Sequence, residues 1–175
     1  MGRETYYENY PLGIVCLSIV LTVLSYALGT AIFYLINNLL GVGYIILCFI
    51  SIMISIKFRC TFCYYYDKRC FSGLGMIAKL FLKKDNPDEF RNPKNLMLPA
   101  IFSFSVLLLP LIGAIILMII EFSWLFLVLF VFYLIIGVIS SFALRKNLFC
   151  KYCKQGKIGC PAFEGMQRKK SQMGP

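Results

Sequence analysis

Four long apolar runs dominate this sequence, and they restrict it to a helical, membrane-embedded fold. Crossing the hydrocarbon core of a bilayer takes roughly 20 apolar residues in a helix, because about 30 Å is covered at about 1.5 Å per residue. The four runs contain no Asp, Glu, Lys or Arg, so each can lie in lipid without a buried charge. The runs are 12–36, 39–56, 96–120 and 122–144.

Short connections pair these runs. Asn37 and Asn38 alone separate the first run from the second, and Glu121 alone separates the third from the fourth. Hydrophobic residues make up 59% of the 175 residues and charged residues only 15%, which is more apolar than a soluble domain of this size. We therefore predict an all-α integral membrane protein with four transmembrane helices, arranged as two tandem helical hairpins.

The positions of the cations predict the orientation. Lys and Arg are retained on the cytoplasmic side of short loops, and all 18 lie before the first run, between the second and third, or after the fourth. This distribution predicts a multi-pass protein with both termini in the cytoplasm, most simply in the plasma membrane of a prokaryote. The net charge of +10 then reflects this bias and attraction to anionic lipid, so we expect no nucleic-acid partner.

Six of the eight cysteines follow the hairpins in a repeated pattern. The pattern C-x2-C-x6-C comes directly after the second run and recurs 90 residues later, after the fourth. Gly75 and Gly165 keep the same offset. The cysteines of the two triads are Cys60, Cys63, Cys70, Cys150, Cys153 and Cys160. The pattern predicts a tandem duplication whose two units are parallel, because each contains an even number of spans.

The repeat divides the chain into four segments. Unit 1 covers 1–85 and includes a basic amphipathic segment at 74–84, expected to lie at the membrane interface. A linker at 86–95, rich in Asn and Pro, leads into unit 2 at 96–166. The polar, basic tail 167–175 is predicted to be mobile.

Tyrosines cluster beside the predicted spans. They are Tyr6, Tyr7, Tyr10 and the run 64–66. Tyrosine is enriched where a membrane protein meets the lipid headgroups, so these residues predict an aromatic belt at the interface.

The spacing of the triads favours metal ligation. Two thiolates separated by two residues can hold one ion from a tight turn, as in zinc and iron-sulfur sites. All-thiolate donors in a chain without histidine favour zinc, copper(I) or an iron-sulfur cluster over magnesium or calcium. Neighbouring Lys and Arg side chains are expected to favour the thiolate form. We therefore predict that all six triad cysteines are ligands of an iron-sulfur cluster or zinc, in one shared site or in two.

Other roles for cysteine fit the pattern less well. Disulfides are disfavoured in a reducing cytoplasm, and redox-active dithiols of the thioredoxin type need a βαβ context that is missing here. Palmitoylation suits cysteines next to a membrane but does not explain the repeated spacing. Cys16 and Cys48 lie inside the apolar runs, where a thiol is expected to pack as a small apolar side chain.

These observations predict an electron-transfer or accessory subunit whose partners are the lipid bilayer and other membrane or redox subunits. Two alternatives stay open: a sensor or carrier for a soft metal or for thiol redox state, and a scaffold clamped by zinc. The uncharged spans disfavour ion-coupled transport, and the sequence has no phosphate-binding loop or hydrolase motif. The sequence therefore predicts no particular enzyme activity.

Overall fold

The computed structural model describes residues 6–120, 122–161 and 163, and this part of the chain is helical. Within it there is no strand, and the single β-bridge joins Tyr7 to Cys153. The predictions for Gly165 and for the tail 167–175 lie outside the described residues. The predicted all-α class is therefore confirmed for the described part.

Two pairs of helices follow the predicted hairpins. Helix α1 covers Leu12–Ile36 and α2 covers Asn38–Ser55, while α4 covers Pro93–Ile120 and α5 covers Trp124–Tyr133. A polar side chain caps the second helix of each pair, as expected where the first backbone N–H groups lack helical acceptors. Asn37 Oδ1 accepts from Leu39 N at 2.8 Å, and Ser123 Oγ accepts from Leu125 N at 3.3 Å.

Among the residues that the structure describes, three helical segments are long and apolar enough to cross a membrane: Leu12–Ile36, Asn38–Cys60 and Asn95–Ile120. They give the chain the character of a multi-pass membrane protein. The fourth predicted run differs, because its α-helix α5 passes directly into a π-helix at Leu134–Phe149. A π-helix usually forms a single turn within an α-helix, so one of this length is unusual.

The long helices present apolar surface outward. Within the most apolar 18 residues of each of these three helices, only 22–28% of the residues are buried inside the protein. Leu39 and Ile119, for example, are each 79% exposed. A surface of this kind is unfavourable in water but suits lipid, and this agrees with the membrane placement of these helices.

Helix α1 lies at the centre of the bundle and contacts α2, α4, α5 and the π-helix. Ile32 of α1 is buried with Ala114 and Tyr133, and a second buried cluster joins Cys48 to Tyr44 and Val106. Cys48 therefore packs as an apolar side chain, as predicted. Cys16 instead is exposed on the surface of α1.

Two tyrosines compensate for a proline inside α4. Pro110 has no N–H, so the carbonyl of Val106, one turn earlier, lacks its helical donor. The hydroxyl of Tyr44 donates to this carbonyl at 2.9 Å, and that of Tyr133 lies 3.3 Å from it and 3.0 Å from the next carbonyl, that of Leu107. A side chain at Gly29 would collide with Tyr44, since its Cβ would lie 2.6 Å from the hydroxyl oxygen. Both hairpins thus meet beside Pro110.

Replacing Tyr44 by phenylalanine is expected to destabilise the bundle by about 1 kcal/mol, the usual size of a hydrogen bond between membrane helices. The hydroxyl of Tyr133 still reaches Val106, which limits the loss. Unfolding in detergent, followed by circular dichroism, measures the effect. Tyr34→Phe is the control, because Tyr34 is 54% exposed. Equal stability of the two variants would show that the Tyr44 hydroxyl contributes nothing.

The connection between the hairpins contains two short helices. Helix α3 covers Leu74–Phe81 and so ends three residues before the predicted basic segment does. A 3₁₀-helix at Pro87–Arg91 follows. Helix α4 begins at Pro93, inside the predicted linker 86–95, because proline suits the first turn of a helix, where its missing N–H costs nothing.

Candidate functional site

Each C-x2-C pair follows a π-helical segment. A π-helical turn at Ile56–Cys60 continues α2 and ends on the first cysteine, and the π-helix at Leu134–Phe149 ends just before Cys150. The N–H of Cys150 donates to the carbonyl of Arg145 at 2.7 Å, which closes this helix directly at the triad. Such wide turns occur frequently at functional sites.

The two triads share three backbone hydrogen bonds, although residues 154–159 form a short α-helix and residues 64–69 do not. Within each C-x2-C pair, the N–H of the second cysteine donates to the carbonyl of the first. The carbonyls of the second and third cysteines each accept from the backbone N–H of the residue three positions later in the chain. These bonds are Cys63 to Cys60 (3.3 Å), Tyr66 to Cys63 (3.1 Å) and Gly73 to Cys70 (3.1 Å), matched by Cys153 to Cys150 (3.2 Å), Gly156 to Cys153 (3.1 Å) and Phe163 to Cys160 (2.9 Å). All three bonds recur at an offset of 90 residues.

The triads converge on one aromatic cluster. Its buried residues include Tyr10, Tyr65 and Cys70, and both Cys63 and Cys153 pack against them. The remaining three cysteines lie within electrostatic range of these. Cys60 interacts with Cys63 and Cys70, Cys150 with Cys153 and Cys160, and Cys160 also with Cys63. The fold thus brings all six predicted ligands into one region.

The segment before α1 holds the two triads together. The N–H of Tyr7 donates to the carbonyl of Tyr152 at 3.1 Å, next to Cys153. Three residues later, the N–H of Tyr10 donates to the carbonyl of Arg69 at 2.9 Å, next to Cys70. Segment 6–10 therefore bridges the second triad to the first.

Buried tyrosine hydroxyls complete this bridge. Tyr10 donates its hydroxyl to the carbonyl of Phe149, and Tyr65 donates to the carbonyl of Tyr7 at 2.6 Å. The hydroxyl of Tyr65 also accepts from the N–H of Lys154 at 3.0 Å. Sequence reasoning placed these tyrosines in a membrane belt, but Tyr10 and Tyr65 are only 0% and 2% exposed. They form the core between the triads instead.

A backbone N–H group is directed at one of the sulfur atoms: Cys70 Sγ accepts from the N–H of Gly75 at 3.3 Å. For Cys63 and Cys153, burial raises the pKa, and the backbone N–H groups of Tyr65 and of Gly156 offset part of that rise. Hydrogen bonds of this kind stabilise a thiolate and tune thiolate-bound clusters. Gly75 has to be glycine for its bond to form, because a Cβ there would overlap the Tyr65 carbonyl oxygen.

Burial is the largest influence on the pKa of three of the triad thiols. It raises the pKa of Cys63 to about 12 and that of Cys150 to about 11, and it also raises the pKa of Cys153. The expectation that nearby cations favour the thiolate is therefore wrong for these groups, because the cost of burying the charge exceeds the attraction. Arg145 and Arg59 lower the pKa of Cys150, but by less than burial raises it. A metal that binds here has to displace protons.

An exposed ion pair ties the bridging segment to unit 2. Lys154 Nζ lies 2.6 Å from Glu8 Oε1, and the hydrogen bond from this lysine lowers the pKa of Glu8. Lys154 and Lys68 both stand over the ring of Tyr64, at 4.8 Å and 4.3 Å from its centre. These contacts are solvent-exposed and contribute little to stability on their own.

The donor set suits a soft metal, but the sulfur atoms are not gathered into a coordination sphere. Among the described residues, no three Cys, Asp or Glu side chains lie close enough together to hold an ion. All eight cysteines are free thiols. The hydroxyl of Tyr10 lies beside the Cys153 thiol, within the space that the triads share. Ligation therefore needs the thiols to move closer together around this ring.

No protein-family model matches the chain, and no curated protein or solved structure matches it either.

Proposed function

We propose that this chain is a four-span membrane metalloprotein that holds an iron-sulfur cluster or zinc between its two cysteine triads, as an electron-transfer or accessory subunit. The observation that carries this proposal is the packing of three thiols from both triads, those of Cys63, Cys70 and Cys153, in one buried cluster. The N–H of Gly75, which donates to Cys70 Sγ at 3.3 Å, adds to it. Soft, all-thiolate ligation is the chemistry that such donors supply.

The contact between the triads supports a fourth span. Two segments that touch lie on the same side of a membrane, so the chain between them crosses it an even number of times. Between Cys70 and Cys150 lie α4 and the continuous helical segment 124–149. If α4 crosses the membrane, the segment 124–149 has to return across it. The positions of the cations favour a cytoplasmic location for both triads.

Two features support the tandem duplication. The hydrogen bonds around the triads recur at a fixed offset, and equivalent side-chain caps begin α2 and α5. A duplicated unit with an even number of spans gives a parallel repeat, which brings equivalent cytoplasmic segments to one end of the bundle. A site shared by both triads follows naturally from that symmetry.

The ionisation of the thiols favours ligation over dithiol redox chemistry. A reactive cysteine needs a thiolate at ambient pH, and such cysteines lie in partly exposed, electropositive surroundings. Burial instead raises the pKa of Cys63 and of Cys150 well above neutrality. A buried thiol becomes useful as a thiolate once a metal replaces its proton.

Metal analysis of protein purified without oxygen tests the proposal. We expect either iron with sulfide and a broad visible absorption band, or zinc without colour. Changing Cys60, Cys63, Cys150 and Cys153 together to serine removes nearly all of this metal, because serine is a poor ligand for soft ions. Cys16→Ser is the matched control, since Cys16 is exposed on α1 and belongs to neither triad.

Two results contradict the proposal. Wild-type protein that holds no metal after anaerobic purification, and takes up neither zinc nor iron and sulfide, has no metal site. Metal that survives the fourfold substitution is bound elsewhere. Colour distinguishes a cluster from zinc, and loss of helical structure on chelation distinguishes a structural site from an exchangeable one.

A further inference from the structure

A groove of about 650 Å³ lies between α3 and the loop that precedes it, apart from the thiols. One wall is cationic and contains Lys68, Arg69 and Lys79, while Met76, Ile77 and Leu80 provide an apolar floor. The function proposed above does not use these residues. A groove with a charged wall and an apolar floor is suited to an amphipathic ligand.

The groove lies at the level where α1 enters the membrane. Any side chain at Gly73, which precedes α3, would touch Ile19 at 3.2 Å and Val15 at 3.6 Å. These two residues lie in the first turns of α1, roughly 5–10 Å along the helix axis from Leu12. Asn9, just before α1, also lines the groove. Its surroundings are therefore the headgroup and upper acyl region of one leaflet.

The charges in the groove favour an anion. The groove is lined by Lys68, Arg69 and Lys79 and by one carboxylate, that of Asp67, which pairs with Lys79 at 2.8 Å. Glu8, outside the lining, pairs with Lys154 and also attracts Lys68. Lys68 donates one N–H to the hydroxyl of Tyr64 at 3.1 Å, and its ammonium group has two further donors. Positive charge therefore remains after the internal pairing.

The backbone of Arg69 is held in place by two hydrogen bonds. Its N–H donates to Asn9 Oδ1 at 3.2 Å, and its carbonyl accepts from the N–H of Tyr10 at 2.9 Å. These two bonds hold the backbone from which the guanidinium extends. A guanidinium presents paired N–H donors that match the oxygens of a phosphate.

The floor of the groove is apolar and open. Met76 is 53% exposed, Ile77 39% and Leu80 78%. Apolar side chains at this depth gain free energy when hydrocarbon chains cover them. One groove therefore offers cationic side chains for the headgroup of a lipid and apolar side chains for its acyl chains.

We propose that this groove binds an anionic phospholipid of the adjoining leaflet. The phosphate contacts Lys68 and Arg69, and the acyl chains lie along Met76, Ile77 and Leu80. This inference requires α1 to lie in the membrane, but it does not depend on the metal site.

Native mass spectrometry of the detergent-purified protein tests the proposal. Phosphatidylglycerol and phosphatidylcholine with identical acyl chains are added separately, and the lipid that stays bound is counted. We expect wild-type protein to retain phosphatidylglycerol preferentially. Arg69→Gln lowers this retention roughly fivefold, because one basic residue contributes about 1 kcal/mol to binding an anionic lipid. Lys83→Gln is the matched control, since exposed Lys83 carries the same charge outside the groove.

Leu80→Ser gives a second, independent reading, because Leu80 is largely exposed and its loss leaves the fold intact. This variant is expected to weaken retention of both lipids. Equal retention of the two lipids by wild-type protein would overturn the proposal, as would unchanged retention of phosphatidylglycerol by Arg69→Gln. Displacement of phosphatidylglycerol by millimolar glycerol phosphate would show that the groove binds a free phosphate and not a lipid.

Discussion

In sealed right-side-out vesicles, a membrane-impermeant amine reagent is expected to modify neither Lys83 nor Lys157, whereas both react when the vesicles are inverted. Both side chains are exposed on the protein surface. They are separated by α4 and by the helical segment 124–149. If both segments cross the membrane, as proposed, the chain returns to the side from which it left. Peptide mass spectrometry after labelling measures each lysine separately. The effect is all or none, since a bilayer excludes the reagent.

A lysine introduced on the opposite face provides the control. Phe122 lies in the second hairpin turn and is 67% exposed, so Phe122→Lys is expected to react only in right-side-out vesicles. If Lys83 and Lys157 react from opposite sides, the segment 124–149 does not cross the membrane. The two triads would then be separated by the bilayer, and the shared metal site would be ruled out together with the fourth span.

Hydropathy predicts where a span begins and ends but not the type of helix that crosses. The first helix was predicted at 12–36 and is observed at Leu12–Ile36, because Pro11 and Asn37 bound an uninterrupted apolar run. The π-helix at Leu134–Phe149 was not predicted. An α-helix and a π-helix both satisfy backbone hydrogen bonds within one segment, so an apolar run alone does not distinguish them.

The candidate site was predicted only in part. The spacing of the cysteines identified two equivalent triads, and their backbone hydrogen bonds do repeat. Metal ligation by these triads stays a prediction. The tyrosines were assigned to an interface belt because residue type indicates how deep a side chain lies in the membrane. It does not indicate which residues that side chain contacts in the folded protein. Tyr10 contacts Phe149 across 139 residues of sequence, and nothing in a local pattern indicates such a contact. Burial of the thiols was missed for the same reason.

Replacing Tyr10 by alanine is expected to destabilise the protein by about 3–5 kcal/mol, the usual cost of removing a large aromatic side chain from a core. Tyr10 is fully buried, and its ring lies 5.4 Å from that of Tyr7, 5.5 Å from that of Tyr65 and 6.4 Å from that of Phe71. The resulting cavity lies between the two triads. Denaturant unfolding in detergent, followed by circular dichroism, measures the loss, and the accessibility of the thiols to a maleimide is expected to rise with it.

Two further variants serve as comparisons. One removes only the hydroxyl of Tyr10, and the other shortens an exposed side chain close to it in the sequence. Tyr10→Phe keeps the ring but loses the bond to the Phe149 carbonyl, so its expected cost is about 1–3 kcal/mol. Leu12→Ala removes a side chain that is 61% exposed, and its expected effect is within about 0.5 kcal/mol. If Tyr10→Ala behaved like Leu12→Ala, segment 6–10 would not hold the triads together. A graded loss across the three variants would mean that this segment, which contributes no thiol, sets the distance between the two sets of thiols.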